Sequence, residues 1–454
     1  MAQRRLWFID RLTQGSLAYN VPASCRLRGP LDGSALRRAL AYVTRRHEIL
    51  RTCFRAAEDG EPYQIVNRSA DRTETAVYDL SADLDPVDRA RQLARQAADT
   101  RFDLEHGPLV RTWLARLGPE DHVLGIVVHH LLFDRDSLEI WASEVSAAYS
   151  AFRRGDEPCL PEPPAQYRDF ARWQRDAADR PDFERQVAYW RERLRGVPAV
   201  LELPADHERP AKPTYRAGEV PVRMDVGSGQ RLRDLAEQSR SSLFIVCLAA
   251  FQGLLGRYTA STDVVVGCPV NGRSQVRFEK LIGFFANSLP IHADLGEDPP
   301  FERVLGAVRE TMLAAHENQD VPFDRIVQEV APPRDLSRNP LIQVWFDLAA
   351  GSGSGPSKEL LDLPGMTTAY FDEGRVRTRF DLEMHLSEGP DGELGGRLLY
   401  ALDLFEPATA DLFVAHYLGF LRAVAREPGQ RLSQVPIFSA DDLDTILTAW
   451  GSAD

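Results

Sequence analysis

At 454 residues the chain is too long for a single hydrophobic core, so two or more domains are expected, and its 44% hydrophobic and 27% charged content is that of an ordinary soluble protein. Sixty-seven Asp plus Glu against 54 Lys plus Arg leave a net charge of −13, opposite to the balance of a phosphate-tracking surface, so nucleic acid is not an expected partner. No run of 18 apolar residues and no charged-then-apolar leader occurs, and Cys25, Cys53, Cys159, Cys247 and Cys268 are widely spaced without a CxxC pair; this points to no membrane partner, a cytoplasmic, reducing location, and neither a zinc site nor a disulfide frame.

The first clear element is a helix. Asp32 is placed to cap it, and Leu36, Leu40 and Val43 fall on one face. Val123 to Val128 is a continuous apolar run and predicts a buried strand. Ser137 is expected to open a helix that carries Leu138, Trp141, Val145, Ala148 and Phe152 at helical spacing. Pro158, Pro161, Pro163 and Pro164 then break the chain. Helical segments follow around Phe170 and Trp173 and from Phe183 to Leu194, and the domain boundary is expected between them, near residue 178. This gives an N-terminal domain over 1–178 and a C-terminal one over 179–454. In the second, Leu243 to Tyr258 predicts an apolar helix and Val264 to Val266 a short buried strand. Gly351 to Gly355 is expected to form a flexible loop, without the strand and helix of a phosphate-binding loop. Periodicity therefore predicts two α/β domains.

The chemistry concentrates where the first buried strand ends. Val127-Val128-His129-His130-Leu131-Leu132-Phe133-Asp134-Arg135 places two histidines at a strand end, with an acid four residues after the second. Side chains alternate across a strand, so His129 and His130 should face opposite ways. That arrangement is poor for holding one metal and suits a single imidazole doing acid–base or positioning work. No GxSxG elbow accompanies it, so an acyl-serine intermediate has no evident host.

The run also resembles the HHxxxDG signature of the condensation domains of nonribosomal peptide synthetases, with Arg135 in place of the glycine. Six further segments resemble that family in the same order: Ala2 to Ile9, Arg46 to Thr52, Tyr167 to Trp173, Ile282 to Pro290, Asn318 to Phe323, and Arg334 to Leu341. The resemblance implies an α/β fold of two chloramphenicol-acetyltransferase-like lobes set in a V around a tunnel. It implies peptide-bond formation, in which an acceptor amine attacks a carrier-bound acyl or peptidyl thioester. Both substrates would ride on phosphopantetheine arms of donor and acceptor carrier proteins. No permanently bound cofactor and no metal are implied.

By the same resemblance His130 is the catalytic histidine, either as base or as a positioning group. His129 reads as scaffold. Asp134 would pair with Arg273, the arginine of a Gly272-Arg273 pair from the second lobe, to hold the site in shape. Arg135 has three readings: solvent-facing, in contact with a carboxylate or phosphate of a substrate arm, or blocking the tunnel. Asn287, Ser288, Gln319 and Ser337 are candidate cleft or substrate contacts. Trp7, Tyr167, Phe170 and Trp173 read as packing. The alternatives are ester formation and a non-catalytic recruitment domain of the same fold. Ile446 to Gly451 is similar to the linker before an adenylation domain, which makes such a domain a candidate neighbour.

Overall fold

The structure is a computed structural model that describes residues 2–13, 15–68, 75–333, 335–349, 360–374, 376–389 and 392–437. The Gly351–Gly355 loop, Arg334 and the Ile446–Gly451 segment lie outside these residues. In chain order the first elements are α1 (Ala2–Thr13), β1 (Asn20–Arg28), α2 (Gly33–Arg46), β2 (Thr52–Ala56), β3 (Pro62–Val66), β4 (Ala76–Asp79) and α3 (Pro86–Ala98). Then come β5 (Val110–Gly118), β6 (Asp121–His129), α4 (Arg135–Arg153), α5 (Tyr167–Ala177) and α6 (Pro181–Arg193). The next are β7 (Arg216–Met224), α7 (Val226–Gln238), α8 (Leu243–Thr259), β8 (Asp263–Val270), β9 (Asn287–Asp294), α9 (Phe301–Glu317) and α10 (Phe323–Val330). The last are β10 (Val344–Ala349), β11 (Thr367–Tyr370), β12 (Val376–Arg377), β13 (Leu382–Glu388), β14 (Leu394–Ala401) and α11 (Pro407–Arg426).

Two compact units result. One comprises Met1–Glu184, Asn271–Asn287 and Pro356–Arg375; the other comprises Arg185–Val270, Ser288–Gly355 and Val376–Asp454. This differs from a single crossing near residue 178, because two later segments belong to the first unit. Hydrogen bonding gives the reason. β11 pairs antiparallel with β1, matching Cys25 with Tyr370, and Asn271–Asn287 is bonded to residues around Asp134.

Among the described residues, the first unit carries a five-stranded sheet in the order β11-β1-β6-β5-β4. β6 is its central strand, antiparallel to both β1 and β5, and its interior residues Val123 to Val128 are buried. A strand hydrogen-bonded on both edges satisfies its backbone without water, which lets such an apolar run exist. The sheet is mostly antiparallel, so its site does not follow from the switch-point rule of parallel α/β sheets. Helix α2 is capped by Asp32, whose side chain accepts from the amides of Ser34 and Ala35, and it buries Leu36, Leu40 and Val43. At its end, His47 Nε2 lies 2.7 Å from Glu144 of α4, and Gln166 Nε2 donates to Arg46 O. These bonds tie α2 to α4 and to the start of α5. Trp7, Tyr167 and Phe170 are buried in this unit's core, with Trp173 packed against it.

Among the described residues, the second unit carries a seven-stranded sheet in the order β12-β7-β14-β13-β10-β8-β9. One face packs on helix α8, with Phe346 of β10 against the rings of Phe244 and Phe251. The expected apolar helix and buried strand are α8 and β8. Of the cysteines, Cys25, Cys53, Cys247 and Cys268 are buried and Cys159 is exposed. Among the described residues, no single helix is long and apolar enough to cross a membrane.

Candidate active site

The site is built where β6 ends. The chain leaves the strand at His129, makes one 3-10 turn over His130–Leu132, and enters α4 with Asp134 as the cap. The helix therefore starts at Arg135, two residues before the expected Ser137. The cap bond explains the shift, since Asp134 Oδ1 accepts from the Ser137 amide at 2.9 Å and satisfies one of the first-turn donors.

His129 is buried, with its ring near Tyr19 and Phe102. Its Nδ1 accepts from the Leu131 amide at 3.2 Å, which puts the ring proton on Nε2, 3.9 Å from Asp10. Burial, with a smaller contribution from the neighbouring His130, drives its pKa down to about 3, so the ring is neutral. Burial also raises the Asp10 carboxyl to about 6.

His130 is half-buried and turned to other partners. Its Nδ1 lies 2.6 Å from Phe133 O, and its ring meets Phe284 edge-on with centroids 4.8 Å apart. A carbonyl can only accept, so Nδ1 carries the proton and the lone pair of the neutral ring is on Nε2.

Asp134 is almost inaccessible and fully engaged. Arg273 grips it with two bonds, NH1 to Oδ2 at 2.7 Å and NH2 to Oδ1 at 2.9 Å; both side chains are 3% exposed. The Phe285 amide donates to Oδ2 at 3.0 Å, and Ser137 Oγ donates to Oδ1 at 2.6 Å. The guanidinium also lies over the Phe285 ring, 4.3 Å from its centroid. Gly272 makes the grip geometrically feasible: its φ is +62°, and a Cβ there would meet Phe285 O at 2.0 Å. Arg273 thus belongs to the same unit as Asp134, not to a second lobe. Local hydrogen bonds, rather than sequence distance, decide the membership of Asn271–Asn287.

Arg135 is exposed and is the first residue of α4, where the positive end of the helix does not favour a cation. Asp136 follows it, 3.4 Å from Arg273, with its pKa raised by burial against the pull of that arginine. Asn287 is half-buried and closes the first unit at the start of β9. Ser288, Gln319 and Ser337 belong to the second unit. There Gln319 Nε2 donates to His316 O at 2.9 Å, and Ser337 Oγ donates to Asp335 at 2.6 Å. Both bonds are local and shape turns.

Sequence reasoning missed several members of the set. Ser137 Oγ bridges Asp134 and Gly283, accepting from the Gly283 amide at 3.0 Å with Gly283 O at 2.9 Å. Tyr167, read as packing, also donates its hydroxyl to Phe284 O at 2.6 Å. Its burial, helped by the charge on Asp134, raises the phenol well above its usual pKa, so it stays a donor. The available signal was that Tyr167 and Gly283 to Phe285 sit inside two of the matched segments.

A two-unit α/β fold thus carries a strand-end histidine with a fixed tautomer and, four residues on, a buried carboxylate–guanidinium pair. The chain belongs to the Condensation domain family, which matches residues 1–447. It is 38% identical over 99% of its length to chondramide synthase cmdD of Chondromyces crocatus, and 37% identical over 97% to phosphinothricin tripeptide synthetase PhsC of Streptomyces viridochromogenes. It spans 11% and 40% of those two proteins. Among solved structures it is similar to the X-domain from teicoplanin biosynthesis, which has also been seen in complex with OxyB. For that X-domain the identity is 31%, the TM-score 0.87, and coverage 96% of both chains.

Proposed function

We propose that this condensation domain forms an amide bond between a carrier-bound acyl or peptidyl thioester and an acceptor amine, with His130 as the catalytic residue. The observation that carries the reading is the bond from His130 Nδ1 to Phe133 O, which assigns the lone pair to Nε2. The amine attacks the thioester carbonyl, the C–N bond forms and the C–S bond breaks. The amine proton passes to Nε2, and the thiolate leaves. A thioester is already reactive, so holding the two reactants together supplies much of the acceleration. His129, Asp134 and Arg273 keep the strand end in shape and take no proton. Asn287, Ser288, Gln319 and Ser337 are proposed as secondary contacts at most, since Gln319 and Ser337 already serve local turns.

The substrates in this reading arrive on phosphopantetheine arms of donor and acceptor carrier proteins in the cytoplasm, with an adenylation domain as a candidate neighbour. An acceptor hydroxyl in place of the amine would give an ester by the same steps. The test is single-turnover product formation, read by mass spectrometry, with carrier proteins loaded with defined donors and amine or hydroxyl acceptors. His130→Ala is expected to lower the rate by about 10²–10⁴-fold with the fold intact. Full activity in that variant would remove His130 from the reaction.

One observation favours a second reading, a domain that binds a partner without catalysing. It is the likeness to the teicoplanin X-domain, together with an exposed Arg135 beside the capped helix start. Absence of product with every acceptor, alongside measurable binding of a loaded carrier protein, would support it.

A further inference from the structure

We infer that Tyr167 and Phe284 are positioning residues for His130, and that Tyr167 acts on the imidazole through Phe284. The inference rests on the proposed role of His130, but its main test does not.

The contacts of His130 include the Phe133 carbonyl on Nδ1 and the Phe284 ring 4.8 Å away at 65°. The first sets the tautomer. A single bond at Nδ1 does not by itself fix the plane of a ring, and the Phe284 contact restricts that plane. The value of the second contact depends on how firmly Phe284 is held.

The backbone on both sides of Phe284 is bonded to buried groups. Gly283 N donates to Ser137 Oγ at 3.0 Å, and Phe285 N donates to Asp134 Oδ2 at 3.0 Å. The Phe284 carbonyl itself is taken by Tyr167 at 2.6 Å. Tyr167 is buried, and its ring packs on Phe170 and Phe285 with centroids 5.5 and 5.1 Å apart. The fit leaves no slack, because a Cβ on Gly283 would lie 2.0 Å from the Tyr167 ring. A buried hydroxyl costs free energy unless it is bonded, so the Tyr167 donor has strong reason to stay on that carbonyl. Core packing alone would be served as well by phenylalanine. The hydroxyl is what fixes Phe284, and Phe284 is what touches the histidine.

The pair also bears on charge. If Nε2 takes a proton, the imidazolium forms 4.8 Å from the centre of the Phe284 ring, and the face of an aromatic ring within about 6 Å favours a cation. Charged groups in the same cluster include Asp134 and Arg273, paired with each other, and Asp136 beside Arg273, with Arg135 and Glu139 acting on Asp136; His129 is neutral.

The experiment follows the His130 ring nitrogens by NMR in the full chain labelled with ¹⁵N-histidine, across pH, for the parent, Tyr167→Phe, Phe284→Leu and Phe284→Tyr. Phe284→Leu is expected to lower the His130 midpoint by about half a pH unit. It is also expected to mix its two tautomers at high pH. Tyr167→Phe should move both readouts the same way by less, and Phe284→Tyr should restore them. Under single-turnover conditions, the first two variants should lose about 3–30-fold in rate at saturating carrier, with little change in the carrier concentration for half-maximal rate. Unchanged His130 midpoint and tautomer in both Tyr167→Phe and Phe284→Leu would overturn the inference. So would equal loss of both with no rescue by Phe284→Tyr. If Tyr167→Phe fails to fold, the two Phe284 variants decide alone. A parent that makes no product counts against the proposed reaction, while the NMR comparison still decides this inference.

Discussion

Removing one half of the Asp134–Arg273 pair should unfold the first unit more readily, before any question of chemistry arises. In Asp134→Ala, the Arg273 guanidinium loses bonds of 2.7 and 2.9 Å. It keeps Leu281 O and Ser137 Oγ, each at 3.2 Å, and a distant Asp136 at 3.4 Å. The Ser137 and Phe285 amides lose their acceptor as well. An uncompensated buried charge costs about 3–5 kcal/mol, and at about 2–4 °C per kcal/mol the melting transition should fall by roughly 10 °C. Arg273→Ala should be similar, since it strands a carboxylate that is 3% exposed. Asp134→Asn with Arg273→Met removes both charges and keeps an oxygen for the cap. That double variant should lose less stability than Asp134→Asn and Arg273→Met alone added together, with a coupling of about 1–3 kcal/mol. Differential scanning calorimetry on the full chain provides the measurement. If both alanine variants melt within about 1 °C of the parent while product formation falls, the structural role is wrong and Asp134 acts in the reaction.

Two further outcomes are expected. Glu373 is buried against Ser24, whose hydroxyl donates to it at 2.7 Å, and burial raises its carboxyl from 4.5 to about 7. A raised folded pKa means its contribution to stability is complete below about pH 4.5 and is lost as pH rises to about 7. Glu373→Gln should therefore match the parent at pH 4 and exceed it by up to about 3 kcal/mol at pH 8 in urea denaturation. Arg135→Gly restores the glycine of the family signature at an exposed helix start. It should leave the melting temperature within about 2 °C and alter carrier binding or substrate choice more than the bond-forming rate. An inert parent that becomes active through this change would support the recruitment reading over the catalytic one.

Much of the first unit could be read from local patterns. The Asp32 cap, the helical spacing of Leu36, Leu40 and Val43, and the apolar run from Val123 to Val128 each depend on residues within one or two turns or one strand. The same holds for placing His129 and His130 at a strand end. The matched segments reached further, to the family and to the pairing of Asp134 with Arg273, though not to its geometry. What only the tertiary structure decided is which distant segments complete the site. Asn271–Asn287 joins the unit of His130 because Asp134, Ser137 and Tyr167 each have a buried polar group to satisfy, and the backbone from Gly283 to Phe285 satisfies them. Such pairing is set by burial, which no local pattern encodes, since a side chain more than 100 residues away in sequence becomes a neighbour only once the cores have formed. For the same reason Tyr167 reads in sequence as one more core aromatic, and only in the fold does its hydroxyl find the carbonyl of the residue that touches His130.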